Sequence, residues 1–172
     1  MNIFFLSLNP DEAARLHCDK HVVKMILETA QLLYTAHWVY ESPLPDDAYR
    51  KTHPNHPLAR WVRESLANYT WLCRLGLALC AEYTYRYGKV HKTQHHLTWL
   101  SAHSPKKLVD VGWTLPRLAM PEEFHDPDPV VAYRAYYVGA KARLLSYTKR
   151  LPPNFLGEAV YMTAGGKSIP VR

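Results

Sequence analysis

The sequence predicts an all-α domain, and three observations carry that expectation. Apolar residues recur at spacings of three and four over several separate stretches, the period of one helix face. No stretch of useful length alternates apolar and polar residues with period two, as a half-buried strand would. Residues that start and stop helices fall where those stretches begin and end. With 172 residues, 48% of them apolar, the chain can bury one proper core and is short for two.

The elements follow in order. Residues 2–7, Asn-Ile-Phe-Phe-Leu-Ser, form a short apolar run ahead of Asn9-Pro10. Asn9 suits a helix cap and Pro10 its first turn, so a first helix is expected over about 10–40, long enough to be kinked. Pro43, Pro45, Pro54 and Pro57, with Asp46 and Asp47, mark residues 41–58 as a loop. His53 and His56 in that loop read as turn and cap residues. Helical periodicity resumes at Pro57 and runs to about Tyr87 through Leu58, Trp61, Leu66, Tyr69, Leu72, Cys73, Leu77 and Cys80. Gly76 within it signals a bend or a close helix contact, and Gly88 a stop. A shorter helix is expected over 92–102, a proline-punctuated segment over 103–129, and a last helix over 133–147 closed by Pro152-Pro153. The expected architecture is one domain, 1–172, of about four helices joined by long proline-rich loops, with 157–172 an extended tail.

Lys and Arg outnumber Asp and Glu by 21 to 15, giving a net charge of +6 and a pI near 9.2. That excess is compatible with a polyanionic partner, since net charge bears on association and not on fold. Three cysteines, Cys18, Cys73 and Cys80, form no CxxC pair and read as buried thiols in a reducing compartment. The start MNIFFLSLNP lacks the basic opening and long apolar run of a signal peptide, and no segment has the apolar length of a membrane span. A soluble cytoplasmic protein is expected, in the host cytoplasm if viral.

The stretch with most chemical content is LHCDKHVVKMILETAQLLYT. On a helix, His17, His21, Lys24, Glu28, Gln31 and Thr35 fall on one narrow line, while the rest of the circumference is largely apolar. A surface helix ordinarily has the reverse proportions. The seam supplies an imidazole, an amine and a carboxylate, the parts of an acid–base or Schiff-base site. Lys24 is the expected nucleophile or cation, beside the cations of Lys20 and His21, with His21 or Glu28 moving the proton. The plainer alternative is the solvated strip of an amphipathic helix.

Two pairs, His17-x3-His21 and His91-x3-His95, have metal-ligand spacing, but no HExxH or zinc-ribbon pattern accompanies them. The favoured reading is histidines lining a groove or bonded to backbone, with no metal and no cofactor. Two further regions suit nucleic acid. The helix AYRAYYVGAKARLLSYTKR offers Arg134, Tyr137 and Lys141, which can stack a base and hold phosphate. The segment RYGKVHKTQHH offers Arg86, Lys89, His91 and Lys92 past a helix end, where free backbone N–H groups favour phosphate. Core tyrosines and a solvated basic loop are the corresponding plain readings.

The order of these features resembles, distantly, the small all-α pyrimidine-dimer DNA glycosylases of the phage endonuclease V type, over most of the chain to about Leu156. The likeness rests on a short apolar start followed by EAARLH, on HPLARWVRESLANYTWLCRLGLALCAEYTYRYG, on PEEF before a tyrosine- and lysine-bearing helix, and on the ending Pro152-Pro153-Asn154-Phe155. The chain is also similar, more closely, to phage and large-virus proteins of no assigned function that share the HCDKHVVKMILETAQLL and YRxYY patterns. The first resemblance implies a glycosylase-like fold and an enzyme that flips a damaged base from duplex DNA, attacks the sugar with an amine, and cuts the strand through a Schiff base. In that family the nucleophile is the α-amine of a threonine exposed by methionine removal, beside a glutamate on the first helix. This sequence departs on both counts: Asn2 disfavours methionine removal, and the corresponding turn holds His21 and Lys24 rather than a glutamate.

The expectation is therefore a DNA-acting base-excision glycosylase, with or without lyase activity, whose chemical wall is His17, Lys20, His21, Lys24 and Glu28. Arg134, Tyr137 and Lys141 would face that wall, and Arg86, Lys89, His91 and Lys92 would hold phosphates. The alternatives are a phage enzyme that modifies DNA bases or nucleotides, and a non-catalytic nucleic-acid-binding protein.

Overall fold

Asn9 opens the first helix as expected: its Oδ1 accepts the N–H groups of Asp11 and Glu12 at 2.9 and 3.1 Å, and Pro10 takes the first turn of α1 (Pro10–Leu16). The computed structural model describes residues 1–162 and 168–170, with side chains through 157. Six helices lie within them: α1, α2 (Asp19–Val39), α3 (Pro57–Val62), α4 (Leu66–Tyr87), α5 (Gln94–Ala102) and α6 (Pro129–Ala140). The protein is an all-α domain. Its tail adds one small antiparallel pairing, β1 (Val160–Met162) with β2 (Ser168–Pro170). The rest of the predicted extended tail, 163–167 and 171–172, lies outside the described residues.

Both long predicted helices are divided, and the cause is tertiary. At His17 and Cys18 the backbone is extended (ψ 137° and 162°). The Cys18 N–H donates to Tyr137 Oη at 2.9 Å and the Asp19 N–H to the Ser146 carbonyl at 2.8 Å. Partners more than a hundred residues away thus take N–H groups that a continuous helix would have used. The second division lies at Arg63–Ser65, where the Leu66 N–H donates to the Val109 carbonyl at 3.0 Å. The buried Ser65 hydroxyl, which accepts the Val111 N–H at 3.1 Å, also accepts the Ala67 N–H and restarts the helix as α4. The last helix also shifts: Asp128 caps it and Pro129 starts it, four residues ahead of Tyr133.

Helix α4 is central and packs on α1, α2 and α5. Gly76 makes this possible. A Cβ there would stand 2.7 Å from Leu97 and 2.9 Å from Thr29, so the glycine marks a close helix contact and not a bend. The run Ile3-Phe4-Phe5-Leu6 is not a surface strand but a buried cord through the core. Phe5 lies between Trp61 and Trp71 at centroid distances of 5.1 and 4.9 Å, and Phe4 stacks on His21 at 4.5 Å. The three cysteines are buried free thiols. Among the described residues no helix is long and apolar enough to cross a membrane.

Candidate functional site

Burying four consecutive apolar residues draws the start of the chain inward. Asn2 fixes it there: its amide donates to the Ala119 carbonyl at 3.0 Å and its Oδ1 accepts the Ile3 N–H at 2.8 Å. The α-ammonium of Met1 is thereby set 3.1 Å from Glu28 Oε1, with side chains only 7% and 10% exposed. Lys24, one turn earlier on α2, brings Nζ to 3.9 Å from Glu28 Oε2 from a side chain that is 70% exposed. One carboxylate thus serves two amines, one inside and one at the rim. This corrects the expectation that no glutamate would stand beside the terminal amine.

These groups line a polar cavity of about 230 Å3 that also includes His21, Tyr136 and Lys141. Its size suits a nucleobase or a sugar, below the range of drug-sized ligand sites, about 300–1,000 Å3. Lys141 lies over the Tyr136 ring at 4.9 Å, and Tyr136 stacks toward Phe4 at 6.2 Å. His21 Nδ1 is 2.8 Å from Tyr137 Oη. Burial, followed by the positive fields of His17, Lys141 and Lys24, lowers the His21 pKa to about 3. His21 is consequently a neutral ring at physiological pH and a weak base. Glu28, which contacts both amines, is the better placed proton acceptor.

The remaining seam residues do not join this cavity. His17 lies in the break between α1 and α2, fully buried, with Nδ1 at 2.6 Å from the Ala13 carbonyl. Desolvation lowers its pKa to about 4, and its Nε2 has no hydrogen-bond partner among the described residues. Lys20 is exposed and does not line the cavity. Thr35 is taken by the loop: its hydroxyl donates to the Thr52 carbonyl at 3.1 Å and accepts the Thr52 N–H at 3.2 Å. Only the middle of the seam, His21 to Glu28, opens to a cleft.

The expected phosphate and stacking residues need larger corrections. Arg86 is buried, donating to Glu82 Oε1 at 2.8 Å, Asp19 Oδ1 at 3.1 Å and the Arg15 carbonyl at 3.1 Å. It ties α4 to α1 and α2 and is closed to phosphate. Glu82 is shared with Arg150; burial, the largest single influence, pushes its carboxyl up, and the hydrogen bonds and charges of the two guanidinium groups together outweigh it and hold the carboxyl below the usual range. His91 is also buried, with Nε2 at 3.2 Å from the Val23 carbonyl and Nδ1 accepting the Thr93 N–H. That imidazole fills an N–H where phosphate was expected. Tyr137 is buried and bonded to Cys18 and His21, so it stacks no ligand. Arg134 is half-buried, with Nε donating to the Leu6 carbonyl at 2.9 Å and its guanidinium over Phe155. Lys89 and Lys92 are exposed, and Lys141 is in the cavity.

Neither HxxxH pair assembles as a pair of ligands. His17 and His21 face different partners, and His91 is spent on backbone. Instead α5 presents His95 and His96 toward Asp47 of the 41–58 loop, the three ligand atoms within 4.8 Å of one another. Met1, Tyr136, Asp47 and His96 join these clusters without belonging to any of the sequence motifs. For Met1 there was a signal, the apolar run that pulls the chain start into the core; for Asp47 and His96 there was none in spacing. In comparisons with known proteins, no family model, no curated protein and no solved structure matches this chain.

Proposed function

We propose that the protein is a DNA-acting enzyme of the base-excision type, a glycosylase with lyase chemistry whose nucleophile is the α-amine of Met1. The observation that carries the reading is the Met1–Glu28 pair at 3.1 Å on the floor of a polar cavity. A buried amine with a carboxylate within hydrogen-bond reach supplies a nucleophile and the base that must first deprotonate it, the parts of a Schiff-base site. The resemblance to pyrimidine-dimer glycosylases supports the same chemistry, with Met1 in place of their threonine.

The steps balance on residues of this chain. Glu28 takes a proton from the α-ammonium, and the freed amine attacks C1′ of a deoxyribose. The glycosidic bond breaks, and the base leaves with the bonding pair and the proton that Glu28 returns. Ring opening passes the remaining amine proton to the ring oxygen and gives a protonated imine between Met1 and the sugar. Glu28, ionised again, takes the C2′ proton, and the 3′-phosphate leaves with the C3′–O bonding pair, which cuts the strand. Lys24 and Lys141 stand at the cavity as cations for the flanking phosphates. Neutral His21, stacked on Phe4, and the Tyr136 ring provide flat walls for an extruded base.

The test is borohydride trapping on duplex DNA carrying an abasic site or a pyrimidine dimer, with the adduct mapped by mass spectrometry. The expected result is a covalent adduct on the peptide that begins with Met1, retained in Lys24→Ala and lost on acetylation of the α-amine. No adduct with either DNA overturns the reading. An adduct on Lys24 overturns the assignment of Met1 and moves the nucleophile to the rim.

A further inference from the structure

Asp47, His95 and His96 form a second cluster of chemically capable side chains, separate from the Met1–Glu28 cavity. Asp47 Oδ2 lies 2.9 Å from His95 Nε2 and 3.9 Å from His96 Nε2. Three ligands around a tetrahedral ion with bonds of 2.0–2.1 Å stand roughly 3.3 Å apart, and the two distances bracket that value. We propose that Asp47 Oδ2, His95 Nε2 and His96 Nε2 bind a divalent transition ion of the zinc type, with the remaining coordination position open to solvent.

The hydrogen bonds around His95 carry the argument. Its Nδ1 lies 2.9 Å from the Lys92 carbonyl and its Nε2 2.9 Å from a carboxylate oxygen. Both neighbours are pure acceptors, while a neutral imidazole has a single N–H. An imidazolium satisfies both acceptors as a simple ion pair. In the neutral ring with Nδ1–H on the carbonyl, Nε2 presents a lone pair to Asp47, and a metal ion between the two takes the place of the second proton. An N–H donated to a backbone carbonyl is the usual support of a metal-bound imidazole. His96 has matching support: its Nδ1 is 2.7 Å from the buried Tyr34 hydroxyl, leaving Nε2 on the Asp47 side.

The carboxylate is held in place as well. Two residues after Asp47, the Tyr49 carbonyl accepts the Trp38 indole N–H at 2.9 Å, and the Tyr49 hydroxyl is 2.9 Å from Thr93 Oγ1. The Tyr49 ring lies against His96 at 4.3 Å. The loop is therefore fastened to α2 and to the start of α5 on either side of the cluster. Asp47 and His95 are 60% and 63% exposed while His96 is 6% exposed, a cluster with a buried base and an open face. Two imidazoles and one carboxylate, with positions left free, suit zinc and its neighbours rather than calcium or magnesium.

The test uses chelator-stripped full-length protein titrated with Co2+, followed by visible absorption, and with Zn2+, followed by calorimetry. The expected result is one equivalent bound with the absorption of a low-coordinate cobalt site. His95→Ala and Asp47→Asn, both exposed positions whose folding is checked by circular dichroism, weaken binding at least tenfold. His125→Ala, an exposed histidine elsewhere, leaves it unchanged. Absence of saturable one-equivalent binding overturns the site, as does wild-type affinity in His95→Ala and Asp47→Asn. Neither readout depends on DNA or on Met1.

Discussion

The α-amino nitrogen of Met1 and the carboxylate of Glu28 form an ion pair at 3.1 Å in which both partners are nearly excluded from solvent. A terminal amine is ordinarily a mobile, hydrated group, because chain termini are poorly ordered unless tied down. Here the buried run Ile3–Leu6 and the Asn2–Ala119 hydrogen bond hold it against one oxygen of Glu28.

Glu28→Gln keeps the shape of the side chain and removes its capacity to accept a proton. If Glu28 deprotonates the Met1 amine, the trapping rate on abasic DNA falls by about 10²–10⁴, the usual contribution of a positioned base. Single-turnover trapping beside a salt-dependent binding measurement checks this, and DNA affinity is expected to change little.

Arg86→Ala is predicted to act on stability and not on DNA binding. It removes a fully buried guanidinium, leaving Asp19 without its cation and Glu82 with Arg150 alone, and breaking such an ion-paired network costs about 3–5 kcal/mol. Lys89→Ala and Lys92→Ala, at exposed positions, leave the unfolding midpoint in place. Denaturant titrations of the three variants separate the roles.

Acid is expected to destabilise the protein before its carboxylates titrate. Burial lowers His17 to about 4, His21 to about 3 and His37 to about 4, against an unfolded value near 6.5. The unfolded chain therefore binds more protons than the folded one in this interval. The stabilisation is complete above pH 6.5 and is lost as pH falls through about 4. His17 alone, fully desolvated, is worth up to about 3 kcal/mol at 1.36 kcal/mol per pH unit. Urea midpoints measured from pH 7.5 to 4 should fall steadily; a flat profile contradicts burial of neutral imidazoles.

Gly76→Ala should destabilise by about 1–3 kcal/mol, because the added methyl meets Leu97 and Thr29 inside van der Waals distance. The double variant Gly76→Ala with Leu97→Ala should recover part of the loss, which thermal unfolding can read.

The legible and illegible parts of this chain divide by range. Asn9, Pro10, Gly76 and Gly88 act within a turn or a helix contact, and their roles could be read from position. The i,i+4 spacing of Glu82 and Arg86 is local in the same way and marks an ion pair on one helix face. The break at His17–Cys18 could not be read so, because no glycine or proline marks it and its cause is Tyr137 and Ser146. From His21 to Glu28 the seam lines a polar cavity. It does not at His17, which the break removes from the helix, or at Thr35, which the 41–58 loop covers. Glu28's main partner is a backbone amine, which a search for side-chain patterns cannot see. The approach of Asp47 to α5 is set by loop packing, which leaves no trace in spacing.

The division of α1 from α2 also bears on the order in which the molecule assembles. The Cys18 and Asp19 N–H groups, at the start of α2, find their acceptors on Tyr137 and Ser146, and the Asp19 carboxylate accepts the Thr148 N–H at 2.8 Å. Each contact closes a loop of well over a hundred residues, a slow step in folding because the closure entropy precedes the reward. The α2 N-terminus thus receives these partners only when the last part of the chain has docked. On a ribosome, the helix that carries His21, Lys24 and Glu28 would acquire its final first turn only after residue 148 has emerged.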